Sequence, residues 1–235
     1  MQRTAVARCH GLLPDIAFDL CLTHGRCVGV HLPETEDVRS DALPSEERAF
    51  AAGLTAVRRR TWVGGRVALR RALGLAGLDA PAVLADARGA PVFPPGIAGS
   101  ISHKETLAVA LVTGAASHNA WRVGVDVEVD APRAVDIASR VLTDDEVSEV
   151  ARVEGPSRAR EVLVRFSAKE AIYKAIDPFV RRYVAFKEVA VTPLPGGAAD
   201  VRLHLPASEG TFEVEVRWLR WERFVLTTAR VARSR

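Results

Sequence analysis

The sequence predicts a mixed α/β (α+β) protein in two halves, and three observations predict it. Helix-like segments alternate with short strand-like runs, so neither type dominates the chain. A small, polar stretch, Gly114-Ala115-Ala116-Ser117-His118-Asn119, separates two strand-like runs and marks a junction. The 235 residues, 48% hydrophobic and 26% charged, suffice for one large domain or two small ones packed together. The halves are therefore expected at residues 1–117 and 118–235.

In chain order, the N-terminal segment holds all three cysteines, Cys9, Cys21 and Cys27, an odd number that favours reduced thiols over a disulfide framework. Cys21-x2-His24-x2-Cys27-x3-His31 fits no standard zinc spacing, and Cys27-Val-Gly-Val reads as a buried strand. Pro44-Ser45 before Glu46-Glu47 opens a helix, and helical composition returns from Ala56 to Leu78. Gly99 to His103 is a short strand, Lys104-Glu105-Thr106 a turn and Leu107 to Val112 the return strand. In Val123 to Val129 the valines fall on one face, while Gly124, Asp126 and Glu128 fall on the other. Thr143-Asp144-Asp145-Glu146 is a capping box, and a longer helix runs from about Arg158 to Ile176, ending before Asp177-Pro178. Tyr183 to Val231 alternates like three or four strands. No apolar run suits a signal peptide or reaches the roughly 20 residues that cross a bilayer. A cytoplasmic protein that does not engage membranes is expected.

A formal charge of +3 and a pI near 9.0 suit an acidic partner or a phosphate-rich ligand without choosing between them. Only four basic residues are lysines, Lys104, Lys169, Lys174 and Lys187, so arginine is the default cation and each lysine invites inspection. Asp126 and Glu128, two residues apart on a strand, project from one face about 7 Å apart. Such carboxylates repel unless a cation or basic group lies between them, and hard oxygen ligands without a nearby His or Cys favour Mg²⁺. In Phe166 to Ala175, helical spacing gathers Ala168, Ala171, Ile172, Ala175 and Ile176 into an apolar stripe. Phe166, Ser167, Lys169, Glu170, Tyr173 and Lys174 share the opposite face, where aromatics mixed with a carboxylate and two scarce lysines suggest a ligand wall. The plainer alternative is a surface ion pair between Glu170 and Lys174.

Arg58 to Arg71 is densely basic, and helical spacing places Arg59, Arg66 and Arg70 on one stripe suited to bidentate grip of a phosphate. Gly64-Gly65 within it costs about 1 kcal/mol per glycine, a sign that something approaches the backbone there. Ser100, Ser102 and His103 offer two hydroxyls and an imidazole before a turn, a second phosphate contact. A nucleic-acid-binding protein using the Arg58 to Arg71 element, or a different Mg²⁺-dependent nucleotidyl or phosphoryl transferase, would also fit these features.

Taken together in order, four segments resemble the Sfp-type 4′-phosphopantetheinyl transferases, in the branch that includes enterobactin-synthetase component D. They are Gly124-Val125-Asp126-Val127-Glu128, Lys169-Glu170-Ala171-Ile172-Tyr173-Lys174, Arg58 to Arg66, and Gly89-Ala90-Pro91-Val92-Phe93-Pro94 leading to Gly99 to His103. The resemblance covers roughly residues 40–190. It implies two similar subdomains related by pseudo-twofold symmetry, with the active site between them. It implies that Asp126, Glu128 and Glu170 hold Mg²⁺ against the coenzyme A pyrophosphate, and that Glu170 deprotonates a carrier-protein serine. Lys174 would offset charge on the leaving 3′,5′-ADP. Arg58, Arg66, Arg88, Ser102 and His103 would contact the phosphates, with Lys169 a further phosphate contact. The implied partners are coenzyme A and acidic acyl or peptidyl carrier proteins, with no nucleic acid, and the chain is expected to act as a monomer. Two positions depart from the pattern: Arg88 stands where relatives often carry lysine, and Asp177 where a more apolar residue is expected.

Overall fold

The computed structural model describes residues 14–34, 38–114, 121–131 and 137–234. The N-terminal half contains β1 (Ile16–Leu22), β2 (Gly25–His31), α1 (Ser45–Ala52), α2 (Ala56–Leu75), β3 (Ile97–His103) and β4 (Leu107–Gly114). The C-terminal half contains β5 (Arg122–Val129), α3 (Ala138–Val141), α4 (Asp144–Val150), α5 (Pro156–Val180), β6 (Val189–Pro193), β7 (Ala198–Leu203), β8 (Phe212–Trp221) and β9 (Phe224–Arg233). Each half is an antiparallel sheet, ordered β1-β2-β4-β3 in the first and β5-β9-β8-β7-β6 in the second. This is the mixed α+β plan in two similar parts, although the sheets differ by one strand. The expected junction near Ser117 lies outside the described residues.

Alternation within the strands builds the layers. On β4, Ala108, Ala110 and Val112 face α2, whereas Leu107, Val109 and Leu111 face the other sheet. On β5, Val123, Val125 and Val127 meet that second set, so the two sheets share one apolar layer. Helix α5 covers the outer face of the second sheet with Ala168, Ala171, Ile172, Ala175 and Ile176, all fully buried. The order is helix, sheet, sheet, helix. Gly64 and Gly65 permit close packing of α2 on the first sheet: a Cβ on Gly64 would lie 2.0 Å from Leu32 and one on Gly65 2.8 Å from Ile101. The backbone approach expected there is thus made by the protein's own core.

Helix boundaries moved where tertiary contacts overrode local signals. Helix α2 stops at Leu75 rather than Leu78 because Gly77 adopts positive φ. Helix α5 continues through Pro178 to Val180. Proline there removes one backbone bond, to the Lys174 carbonyl, and Arg181 closes the helix in a left-handed conformation with its N–H on Asp177 O, at 2.9 Å. The Thr143 to Glu146 capping box forms as expected. Among the described residues no helix is long and apolar enough to cross a membrane.

His24, in the turn between β1 and β2, is buried against β9, where its Nδ1 lies 2.9 Å from Thr228 Oγ1. Burial, aided by Arg230 and Arg217 and opposed by Glu215, pushes its pKa down to about 4. Cys27 is buried in β2 and its thiol is pushed up to about 12, so His24 and Cys27 have separate packing roles, while Cys21 and His31 are exposed.

Two outcomes are expected. Gly124→Ala, whose new Cβ would fall 1.8 Å from the Ala171 carbonyl oxygen, should cost at least about 1–3 kcal/mol in chemical unfolding. The neutral His24 ring contributes stability that is complete above about pH 6.5 and is lost as pH falls toward 4. Over that window the wild type should lose up to about 3 kcal/mol more than His24→Gln in parallel denaturation series.

Candidate functional site

The site forms where the two sheets meet at their edges. β3 and β5 are each the last strand of a sheet, and they lie against one another. The small inward residues of β3 make this possible: the Ser100 Oγ accepts the Val125 N–H at 3.1 Å, and the Ser102 Oγ donates to Asp126 Oδ1 at 2.9 Å. On the other side of β5, Gly124 lets α5 approach its backbone. Ser167 then donates to Asp126 Oδ2 at 2.9 Å, and Lys174 Nζ reaches Asp126 Oδ1 at 2.8 Å. Asp126, 3% exposed, therefore accepts three hydrogen bonds from two elements and keeps about one of a carboxylate's four acceptor sites.

Lys174 spends its three N–H groups on Asp126, on Ser102 Oγ at 3.1 Å and on Val125 O at 2.9 Å. It is a fixed point charge. Glu128, also buried, pairs with Lys104 at 2.6 Å. Burial raises the Glu128 carboxyl to about 7, with the Asp126 charge adding and Lys104 opposing. Burial likewise raises Glu170, against the pull of Lys174 and with a push from Asp126. Glu170 is half-buried, not the open, solvent-facing group that one face of an amphipathic helix would give.

These mutual effects show that Asp126, Glu128 and Glu170 share one electrostatic neighbourhood. Their chemistry fits a hard cation such as Mg²⁺, which takes one or two protein carboxylates and completes its shell with water and substrate phosphate. Among the described residues no three His, Cys, Asp or Glu side chains are gathered into a ready cage. Lys104 and Lys174 pair with two of the carboxylates, Glu128 and Asp126.

Other expected site residues divide into two groups. Desolvation of the ring lowers the His103 pKa, aided by the charges of Lys174, Lys104 and, least, the exposed Arg58 nearby. Arg66 is 5% exposed, stacks on Trp62 at 4.5 Å, and its Nε has no hydrogen-bond partner. Burial lowers its pKa to about 10. Arg88 pairs with Asp177 at 2.6 Å and donates to the Tyr173 hydroxyl at 3.3 Å, which ties the Gly89 loop to α5 and accounts for an acidic residue at 177. A cleft of about 650 Å³ opens between these halves, walled by Pro91, Phe93, Ile101 and Tyr173 and carrying Arg88, Lys174, Arg122 and Arg181.

Lys169 does not join them. It is 1% exposed and its ammonium bonds Glu146 at 2.5 Å and Val141 O at 2.7 Å, so it is a buried structural cation unable to reach a phosphate in the cleft. The stripe of Arg59, Arg66 and Arg70 is also broken up. Arg59 bonds the carbonyls of Ala51 and Leu54, and Arg70 binds buried Glu47 and the carbonyls of Ala80 and Pro81. Arg60 likewise turns to Pro33 O at 3.0 Å. This consumption of guanidinium groups removes the continuous basic surface that a nucleic-acid reading requires. Ser167 and Lys104 were missed as site residues. Lys104 stood out only as one of four lysines, and the match of Ser167 to Asp126 depends on the approach of α5 to β5.

A basic, partly apolar cleft, joined through Lys174 to the buried carboxylate of Asp126, suits an enzyme that acts on a phosphate-rich substrate. Two family models match the chain: the 4′-phosphopantetheinyl transferase N-terminal domain over residues 46–113 and the 4′-phosphopantetheinyl transferase superfamily over residues 122–229. The chain is 29% identical to the 4′-phosphopantetheinyl transferase Npt of Nocardia iowensis, over 82% of this chain and 89% of that protein. It is 30% identical to enterobactin synthase component D of Salmonella typhimurium, over 79% and 76%. Holo-[acyl-carrier-protein] synthase of Thermotoga maritima aligns in structure with TM-score 0.39 and 24% identity, over 48% of this chain and 63% of that one. The chain belongs to the 4′-phosphopantetheinyl transferase superfamily and is an enzyme of that kind.

Removing Lys169 separates the structural from the ligand-binding cations. Lys169→Met leaves Glu146 as an uncompensated buried charge and should cost about 3–5 kcal/mol in chemical unfolding. Affinity of the folded variant for coenzyme A, read by calorimetry at low temperature, should match the wild type.

Proposed function

We propose that the protein transfers the 4′-phosphopantetheine group of coenzyme A to a serine hydroxyl of an apo acyl or peptidyl carrier protein, releasing 3′,5′-ADP. The observation that carries this reading is Lys174, which lines the basic cleft and pairs with Asp126, the carboxylate whose charge is felt at Glu128 and Glu170. The cleft is large enough for the nucleotide end of coenzyme A, and its apolar walls suit a flat base beside charged phosphates. Arg66 offers a buried Nε still lacking an acceptor, Arg88 lines the cleft, Ser102 bonds Asp126, and Arg58 lies near His103. These are assigned to the phosphates, and Lys169 is withdrawn from that set.

Asp126, Glu128 and Glu170 would hold Mg²⁺, which when bound draws negative charge from the diphosphate oxygens. Glu170, its proton affinity raised by burial, accepts the serine proton as the serine oxygen bonds the β-phosphorus and the bond to 3′,5′-ADP breaks. Lys174, held by three acceptors, stands as a fixed positive charge beside the diphosphate and favours departure of the anionic product. The exposed Arg181 on the cleft, with the exposed Arg58 and half-exposed Lys104 beside His103, suits an acidic carrier surface, which aids encounter and orientation.

Incubation with coenzyme A, Mg²⁺ and one apo carrier each of fatty-acid, polyketide and nonribosomal-peptide type should add a single phosphopantetheine mass to at least one carrier serine. No adduct on any of the three would overturn the reading. Glu170→Gln should lower turnover by about 10²-fold or more. Because it also removes a buried carboxylate repelled by Asp126, its melting temperature should stay level or rise.

A further inference from the structure

Three of the four lysines pair with carboxylates, and the three pairs are not equivalent. Lys169 and Glu146 are both sealed from solvent, at 1% and 2% side-chain exposure, and are permanently joined. Lys174 is anchored by three acceptors on β3 and β5. Lys104 differs from both. It rises from the tip of the β3 to β4 turn, its side chain is 34% exposed, and among the described residues its ammonium has Glu128 as its single partner, at 2.6 Å. Its charge is nonetheless felt across the site, at His103 and at Glu170 as well as at Glu128.

We propose that Lys104 is a displaceable internal counter-ion: its ammonium occupies Glu128 in the metal-free protein and competes with the divalent cation for that carboxylate. The inference rests on the magnesium reading given above and adds a positioning role for a residue outside the ligand set. Physically, Glu128 and Asp126 lie two residues apart on one strand face and repel each other in a poorly solvated place. A compact ammonium on a flexible stem neutralises one of them without fixing it, and a single, partly exposed contact is weak enough to yield. An arriving divalent cation both takes over the Glu128 oxygen and repels the lysine. The freed ammonium then remains tethered at the cleft rim, where it adds to the positive field that meets an anionic substrate. Without the lysine, Glu128 would face Asp126 uncompensated, which favours any cation that comes.

The test is thermal unfolding of the full chain across a magnesium titration without coenzyme A, with all variants at one common pH of about 8.5. Lys104→Gln should reach half of its magnesium-dependent stabilisation at about two- to fivefold lower concentration than wild type. Lys104→Arg, which keeps the charge and the pair, should respond like wild type. Melting temperatures without metal report that each variant is folded. A wild-type magnesium response with an unchanged or weaker one in Lys104→Gln overturns the counter-ion role alone, as does an arginine variant that behaves like the glutamine variant. If none of the three proteins is stabilised by magnesium, the metal reading fails and this inference with it.

Discussion

Everything at the site depends on the close approach of three backbones around Asp126. Strand β5 is wedged between β3, whose Ser100 and Ser102 are small enough to bond across, and α5, which touches it where Gly124 has no side chain. Because this wedge joins one sheet edge to the other, it closes two edges that would otherwise offer unpaired backbone groups. It also removes the carboxylate from water. Burying a charge is tolerable only with partners, and here both serines and a lysine are delivered by the elements that exclude the solvent. Fold and site therefore arise from one contact.

The distribution of cations follows from the same constraint. Arginine, with its planar fork, collects several acceptors at once: carbonyls for Arg59 on the end of α1, carbonyls and the Glu47 carboxylate for Arg70 on the loop after α2. Asp126, Glu128 and Glu146 are instead paired by lysine, a compact charge. The acidic cluster is consequently balanced by ammonium groups of two kinds, one locked by three acceptors and one held by a single partner. Burial raises the proton affinities of Glu128 and Glu170, with the Asp126 charge adding to it, and a further cation beside them would offset both effects.

Reading the sequence recovered the face of β5, the apolar stripe of α5, the capping box of α4 and the β3 to β4 hairpin, because each is encoded by local periodicity or by a turn. It did less well wherever a residue's neighbour comes from a distant part of the chain. The polar side of α5 was read as one continuous wall, yet Ser167 and Lys169 are buried on different sides of the helix, against Asp126 and Glu146. A helix packed on several sides has no single outer face, so periodicity could not sort its polar residues. The arginine stripe failed for a related reason: spacing placed Arg59 and Arg70 near Arg66, but could not show that backbone carbonyls from other segments already occupied them. Asp177 looked anomalous until its partner, Arg88, was brought to it from 89 residues away by the loop before β3.

The sequence by itself determined the fold class and the family, and it singled out Asp126, Glu128 and Glu170, since these rest on local pattern and on motifs kept in order. Only the tertiary structure decided which cation serves which carboxylate: Lys174 for Asp126, Lys104 for Glu128, and Lys169 for Glu146 outside the site altogether. The physical reason is that pairing in a buried place is set by burial and distance between segments remote in the chain, and neither quantity is written in the spacing of residues along one helix or strand.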